Sequence, residues 1–290
     1  MTTLEGSEGT EAPTVPAVTS PSTRTPWRSF KDFIKSPFYW FYQRRLERDV
    51  RNWNLPKHIG FIMDGNRRFA RASGLSSVSQ GHERGAEKLF DVLNWCYDCG
   101  VRVVTVWSFS LDNFHRDTSE VQSLLELFES KTRELADSDQ VHERQLRVRF
   151  LGQLDLLPEG LQKAIQETEA ATAHYTNCQL NIAMAYGGRE EITDAFRSFL
   201  KDQQRRGHAI EDVLQAFEED SIEPYLYTSG QPEPDLIFRT SGEVRLSGFL
   251  LWQSAYSEFY FCDTNWPALR RIDILRALRS YHERHRRLGR

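Results

Sequence analysis

The sequence predicts an α/β fold: a mainly parallel central sheet flanked by helices on both faces, in a single catalytic-sized domain. Three observations carry that prediction. Short apolar runs alternate along the chain with longer segments of helical period. The run at 59–63 is apolar throughout, as a strand buried on both faces is. Hydrophobic residues make up 39% of the 290 residues and aromatics 12%, enough for one large core.

The elements follow in order. Residues 59–63 form the first strand, and residues 81–97 an amphipathic helix. Residues 101–109 form a second strand. Residues 119–137 form a long helix whose apolar face carries Val121, Leu124, Leu125, Leu127 and Phe128. That face is core or the wall of a cavity. Strand 145–151, helix 159–173, strand 179–186 and helix 190–204 continue the alternation. Two short strands at 235–238 and 259–261 precede a closing helix at 272–286. Such alternation builds parallel sheets with helical crossovers, and no internal repeat interrupts it.

Two segments precede this region. Residues 1–26 are rich in Thr, Ser, Pro, Glu and Gly, a composition that cannot bury enough apolar surface to order itself. Residues 27–56 interleave Phe30, Phe33, Ile34, Phe38, Tyr39, Phe41 and Tyr42 with Lys31, Lys35, Arg44, Arg45 and Arg48. Pro37 divides this arm into two helical pieces. Two readings stay open for it: peripheral contact with a membrane interface, or packing on the main domain or a partner subunit. The catalytic domain is expected at 57–290.

Composition excludes several functions. A net charge of −4 argues against general nucleic-acid binding, which needs a broad basic face. Cys96 and Cys99 are spaced CxxC, but no second pair or nearby His completes a zinc site. Cys178 and Cys262 stand alone, so reduced thiols in a cytoplasmic protein are expected. The sequence shows no signal peptide and no apolar stretch of membrane-spanning length. It contains neither GxxxxGK[ST] nor GxGxxG, so a nucleotide site is poorly supported.

Polar residues gather where the strands end, the position at which parallel sheets bind ligands. The first strand stops at Asp64-Gly65-Asn66, with Arg67 and Arg68 directly after. A carboxylate, flexible backbone and two guanidinium groups at one spot suit a metal-bound phosphate. A hairpin turn with a solvated basic patch is the alternative. Ser110, Asn113 and Arg116 follow the second strand, and Gly187-Gly188-Arg189 the fourth. Arg239 leaves the fifth strand, and Arg245 and Ser247 return after Thr240-Ser241-Gly242-Glu243. Two guanidinium forks and a hydroxyl around a tight turn can grip a diphosphate. Two such grips beside very apolar strands point to a small diphosphate ester with a greasy tail. Glu258 lies between aromatics, where a lone buried acid is costly. A bound ion would explain it, which makes Asp64 and Glu258 the candidate Mg²⁺ ligands. A solvated edge glutamate is the competing reading.

The stretches HIGFIMDGNRRFAR, GHERGAEKL, VTVWSFSLDNFHR, LNIAMAYGGREEI, DLIFRTSGEVRLSGFLLWQSAYSEFYF and RHRRLGR, in this order, resemble the cis-prenyltransferases. This is the family of undecaprenyl and decaprenyl diphosphate synthases. LYTSGQPEPDLIFRTSGE and the C-terminus are most similar to short-chain actinobacterial members that make a Z-farnesyl diphosphate. The resemblance implies a transferase that condenses isopentenyl diphosphate with an allylic prenyl diphosphate, with Mg²⁺, as a homodimer. It implies that Asp64 holds Mg²⁺ at the allylic diphosphate and that Glu258 completes the metal site. Gly65, Asn66, Arg67, Arg68, Phe69 and His82 would cradle that diphosphate. Ser110, Leu111, Asp112, Phe114 and Arg116 would bind and position substrate around Asn113, to which the family assigns proton removal. Arg239, Arg245, Leu246 and Ser247 would hold isopentenyl diphosphate. Arg287 and Gly289 resemble an RxG element that reaches the neighbouring subunit's site. Many members carry a further arginine between the first motif and the GH pair; residues 74–79 offer none and are one residue longer. Phe69 and Phe114 stand where tryptophan is common, and Ser108 is small where some short-chain members are bulky. Two alternatives remain: a subunit of a heteromeric synthase, and an irregular coupling enzyme of the same fold. Retention of Asp64, Arg68, Arg239, Arg245 and Glu258 argues against the former.

Overall fold

The computed structural model describes residues 40–284. Six strands form one sheet: β1 (His58–Ile62), β2 (Val103–Trp107), β3 (Leu146–Leu151), β4 (Cys178–Ala183), β5 (Leu236–Arg239) and β6 (Glu258–Phe261). Their order is β3-β4-β2-β1-β5-β6, and every neighbouring pair is parallel. Parallel neighbours need long crossovers. Helices supply most of them: α1 (Asn66–Ala72) and α2 (Val78–Asp98) before β2, α3 (Thr118–Ala136) and α4 (Asp139–Glu143) before β3, and α5 (Glu159–Thr172) before β4. Helices α6 (Gly188–Arg205) and α7 (Ile210–Ala216) precede β5, and α8 (Arg271–Glu283) follows β6.

All positions of β1 and β5 are buried, so helices cover both faces of the sheet centre. Strand β6 is only half-buried, as an edge strand is. Helix α2 is started by Ser77, whose hydroxyl accepts from the Gln80 amide at 3.3 Å. It buries Gly81, Gly85, Val92, Leu93, Cys96 and Tyr97, one stripe at helical spacing. Helix α3 is capped by Asp117 and buries Leu124, Thr132 and Leu135. Helices α1, α4 and α7 have no counterpart among the expected elements. Each is seven residues or shorter, too brief for an apolar period to show.

One compact unit runs from Gln43 onward, so residues 43–56 belong with the sheet and not to a separate arm. Leu46 and Val50 are buried in it, Glu47 pairs with Arg271 at 3.3 Å, and Trp53 stacks on His282. The expected tail at 1–26, most of the aromatic arm, and Arg287 and Gly289 lie outside the described residues. Among the described residues no helix is long and apolar enough to cross a membrane.

A polar network runs from the amino ends of β1 and β5 to the middle of β2 and β4. His58 is buried, with Nε2 2.7 Å from Thr105 Oγ1 and Nδ1 2.7 Å from the Pro232 carbonyl. Asn181 donates to Thr105 at 2.9 Å and to Gln231 at 2.6 Å. Asp235 accepts the backbone N–H groups of Lys57 and His58 at 2.6 and 3.1 Å. Burial lowers the His58 pKa to about 4, so the ring is neutral at pH 7.

Candidate active site

Strand β1 is flanked by β2 on one side and β5 on the other, so the chain reverses its direction of winding beside it. A crevice opens there at the carboxyl ends of the strands. Past β1, Gly65 adopts φ +103°. A Cβ at that position would lie 2.4 Å from Asn265 Oδ1, so only glycine fits. The chain then enters α1 at once, which rules out a hairpin and projects Arg67 and Arg68 from the first helical turn.

The ends of β1 and β5 are joined by charge. Asp64 Oδ2 accepts from Arg239 Nη2 at 2.9 Å and lies 3.6 Å from Arg68 Nη2. Arg239 is buried and also donates to Ser247 Oγ at 2.9 Å and to the Arg245 carbonyl. Arg68 donates to the Ser241 carbonyl at 3.0 Å and pairs with Glu243 at 2.9 Å. The Thr240 hydroxyl donates to the Asp64 carbonyl at 2.7 Å. The loop that carries these groups is shaped by left-handed residues: Ser241, Gly242, Ser247, Gly248 and Leu250 all have positive φ. It is pinned from below. The Gly188 amide donates to the Gly248 carbonyl at 3.0 Å, and the Leu250 amide to the Tyr186 hydroxyl at 3.2 Å. Tyr186 in turn donates to the buried Glu191 at 2.5 Å. Burial pushes the Glu191 carboxyl pKa up, while its hydrogen bonds from Tyr186, Tyr227 and Gln253 oppose the rise.

The loop after β2 brings a second set. The Ser110 amide donates to Asn113 Oδ1 at 3.1 Å, and Phe114 packs edge-on against Phe109. Glu120 on α3 gathers Arg116 at 3.1 Å and Arg67 at 3.6 Å. His82 Nε2 lies 3.8 Å from Glu120, beyond hydrogen-bond reach, and has no partner. Burial lowers the His82 pKa to about 4, reinforced by the cations of Arg116 and Arg67. The ring is therefore neutral at pH 7.

These groups surround a polar cavity of about 470 Å³. Asp64, Gly65, Asn66, Arg67, Arg68, His82, Ser110, Asn113, Arg116, Arg239 and Ser247 all line it. A second, smaller cavity of about 90 Å³ lies between α2 and α3, walled by Leu89, Phe90, Phe128, Leu135, Met184 and Trp266 among others. Met63, Asn66, His82, Trp107 and Ser108 line both cavities, so a charged chamber adjoins an apolar one.

A family model described as putative undecaprenyl diphosphate synthase matches residues 62–289. The chain belongs to the cis-prenyltransferase family. It is 49% identical over 257 residues to an isoprenyl transferase of Thermus thermophilus, covering 89% of this chain and 97% of the relative. It is also 49% identical to the (2Z,6E)-farnesyl diphosphate synthase of Thermobifida fusca, over 88% of this chain and 98% of the relative. The crystal structure of lavandulyl diphosphate synthase from Lavandula x intermedia, in complex with dimethylallyl diphosphate, superposes with a TM-score of 0.73. That match has 33% identity and covers 83% of this chain and all of the other.

This cis-prenyltransferase gathers most of the expected site residues, but not all. Glu258 is a correction. It opens β6 in register with Leu236 and Ile59, whereas Asp64 lies beyond the opposite ends of the strands. Three residues of strand alone separate the two levels by ~10 Å. Glu258 instead pairs with Arg284 at 2.7 Å. One chain therefore does not bring Glu258 and Asp64 to a shared ion. Arg245 does not line the chamber here: its side chain is exposed and paired with Glu243, while its carbonyl accepts from Arg239. Phe69, Leu111, Asp112, Phe114 and Leu246 do not line the chamber, although Phe114 packs on Phe109, which does. Leu124, on the helix face expected to be core or cavity wall, lines it, and so do Arg71, Trp107 and Phe109, which were not singled out by sequence. Spacing gives a signal for Arg71 alone, three and four residues after Arg68 and Arg67.

Among the described residues no three His, Cys, Asp or Glu side chains gather as a ligand set. Asp64 still suits Mg²⁺. Its Oδ2 is engaged by arginine, Oδ1 has no hydrogen bond or ion pair, and the residue lines the chamber. Mg²⁺ commonly uses one or two carboxylates together with phosphate oxygens and water.

Proposed function

We propose that the chain condenses isopentenyl diphosphate with an allylic prenyl diphosphate to give a short Z-polyprenyl diphosphate. The observation that carries this reading is the pair of adjoining cavities. A chamber walled by five arginines suits diphosphates, and an apolar cavity sharing its rim suits a hydrocarbon. The small volume of the apolar cavity, and the similarity to a Z-farnesyl diphosphate synthase, favour a short product.

Departure of the allylic diphosphate builds positive charge on carbon and negative charge on the leaving group. Arg67 and Arg68 stabilise the leaving group electrostatically, as pre-placed cations do. Mg²⁺, when bound at Asp64, supplies further charge neutralisation there. Arg239 and Ser247 hold isopentenyl diphosphate at the end of β5. Its double bond then forms the new carbon–carbon bond, and a proton lost near Ser110 and Asn113 leaves a cis double bond. His82, kept neutral by burial, contributes hydrogen bonding rather than charge.

Three finer features complete the proposal. The enzyme works as a homodimer, on the strength of the family resemblance of its C-terminus. It is cytoplasmic, and its aromatic and basic N-terminal segment touches the membrane peripherally. The test is incubation of purified protein with Mg²⁺, labelled isopentenyl diphosphate and, separately, dimethylallyl, geranyl and farnesyl diphosphates. A ladder ending at a defined Z-product is expected. A head-to-middle product would replace elongation with irregular coupling, and no product with any primer would overturn the stand-alone enzyme.

A further inference from the structure

We propose that Arg71 binds the diphosphate of the allylic substrate and stands in for the arginine that residues 74–79 lack. The inference rests on the condensation reading above. Five arginines line the charged chamber, and four are committed. Arg67 and Arg116 share Glu120, Arg68 holds Glu243, and Arg239 holds Asp64. A diphosphate that recruits any of these must compete with a carboxylate already in place. Arg71 differs. It is exposed, it lines the chamber, and among the described residues its guanidinium makes neither ion pair nor hydrogen bond.

Its position strengthens the case. Residues three and four apart on a helix are neighbours, so Arg67, Arg68 and Arg71 share one face of α1. Helix α1 reads NRRFARA and contains no acid, so nothing on its own turns relieves their mutual repulsion. An anion on that face would. Arg71 also stands in the last turn of α1, which ends at Ala72, shortly before residues 74–79, which contain only glycine, leucine, serine and valine. A cation is thus supplied from the last turn of α1 instead of from the connection that follows it. The competing account is an ordinary surface arginine that favours the carboxyl end of a helix dipole. That account predicts no link to substrate.

Binding and turnover are read separately. The full-length protein is titrated calorimetrically with a non-transferable thiolo-diphosphate analogue of a geranyl or farnesyl group, and with isopentenyl diphosphate. Arg71→Gln is expected to weaken the allylic analogue about tenfold, equivalent to 1.4 kcal/mol. It should raise the KM for the allylic substrate and leave the isopentenyl diphosphate affinity unmoved. Arg71→Lys should recover part of the loss, since charge is restored without the guanidinium fork. Arg84→Gln, on the exposed face of α2 and paired with Glu87, controls for loss of a surface cation. Unchanged analogue affinity in Arg71→Gln, with wild-type binding intact, overturns this inference alone. Equal weakening by Arg84→Gln would overturn it as well. Absence of analogue binding by the wild type would overturn both this inference and the condensation reading.

Discussion

Both ends of the central sheet carry polar side chains, and they treat them differently. Toward the amino ends, His58, Thr105, Asn181 and Asp235 all find partners within hydrogen-bond reach, and Gln231 Nε2 alone of that network is buried without one. At the carboxyl ends, Asn66 Oδ1, His82 Nε2, Trp107 Nε1, Arg239 Nε and Ser241 Oγ are buried without partners. An unpaired buried polar group costs about 1–3 kcal/mol. The unpaired groups thus concentrate at the carboxyl ends, where a ligand can relieve the loss. The difference teaches where to look for function in such a sheet: not where polar groups are most numerous, but where they remain unsatisfied.

The largest test of that division is Asp64→Asn. The amide still accepts from Arg239, so the melting temperature should hold. Turnover should fall about 10²–10³-fold, the scale for losing one pre-placed electrostatic group. Equal losses of stability and turnover would erase the distinction between the ends. The next test is pH. His58 titrates at about 4 in the folded state against 6.5 unfolded. A histidine with a lowered folded pKa stabilises the protein fully above pH 6.5, and that contribution is lost as pH falls toward 4. The loss is on the order of 3 kcal/mol. Denaturant midpoints measured from pH 7 to 4 should show it together with a like contribution from His82, and a His58→Gln variant should make the profile shallower without flattening it.

Thr105→Val comes third. It strips both His58 and Asn181 of a partner and should cost about 2 kcal/mol in equilibrium unfolding. Turnover per folded molecule should stay as it was. Smallest is Ser247→Ala, which removes one hydrogen bond to Arg239. It should raise the KM for isopentenyl diphosphate severalfold, about 1 kcal/mol, with no change in melting. A Thr105→Val enzyme with impaired turnover would show that the amino end also serves catalysis.

Much of the fold was legible because buried parallel strands and amphipathic helices have distinct periods. Each strand expected from residues 59–63 to 259–261 exists within a few residues of its predicted span. Helix α1 was hidden because NRRFARA offers only one apolar side chain, Phe69, besides alanine's methyls, and so no period, after a turn signature. The site was legible as loops at strand ends, but its pairings were not. Asp64 meets Arg239 across 175 residues, and nothing local announces that contact. Glu258 shows the converse. Its sequence marks an acid among aromatics, yet only the register of β6 against β5 says which end of the sheet it occupies.

The loop from Ser241 to Leu250 holds three non-glycine residues in left-handed backbone, and Tyr186 and Glu191 lock it from beneath. Such conformations persist only where the surroundings over-determine them. Its shape is thus fixed before any ligand arrives. Capture at this loop should proceed in a single kinetic phase, limited by encounter rather than by rearrangement. Little disorder remains there for a ligand to remove, so association should carry only a small entropic penalty.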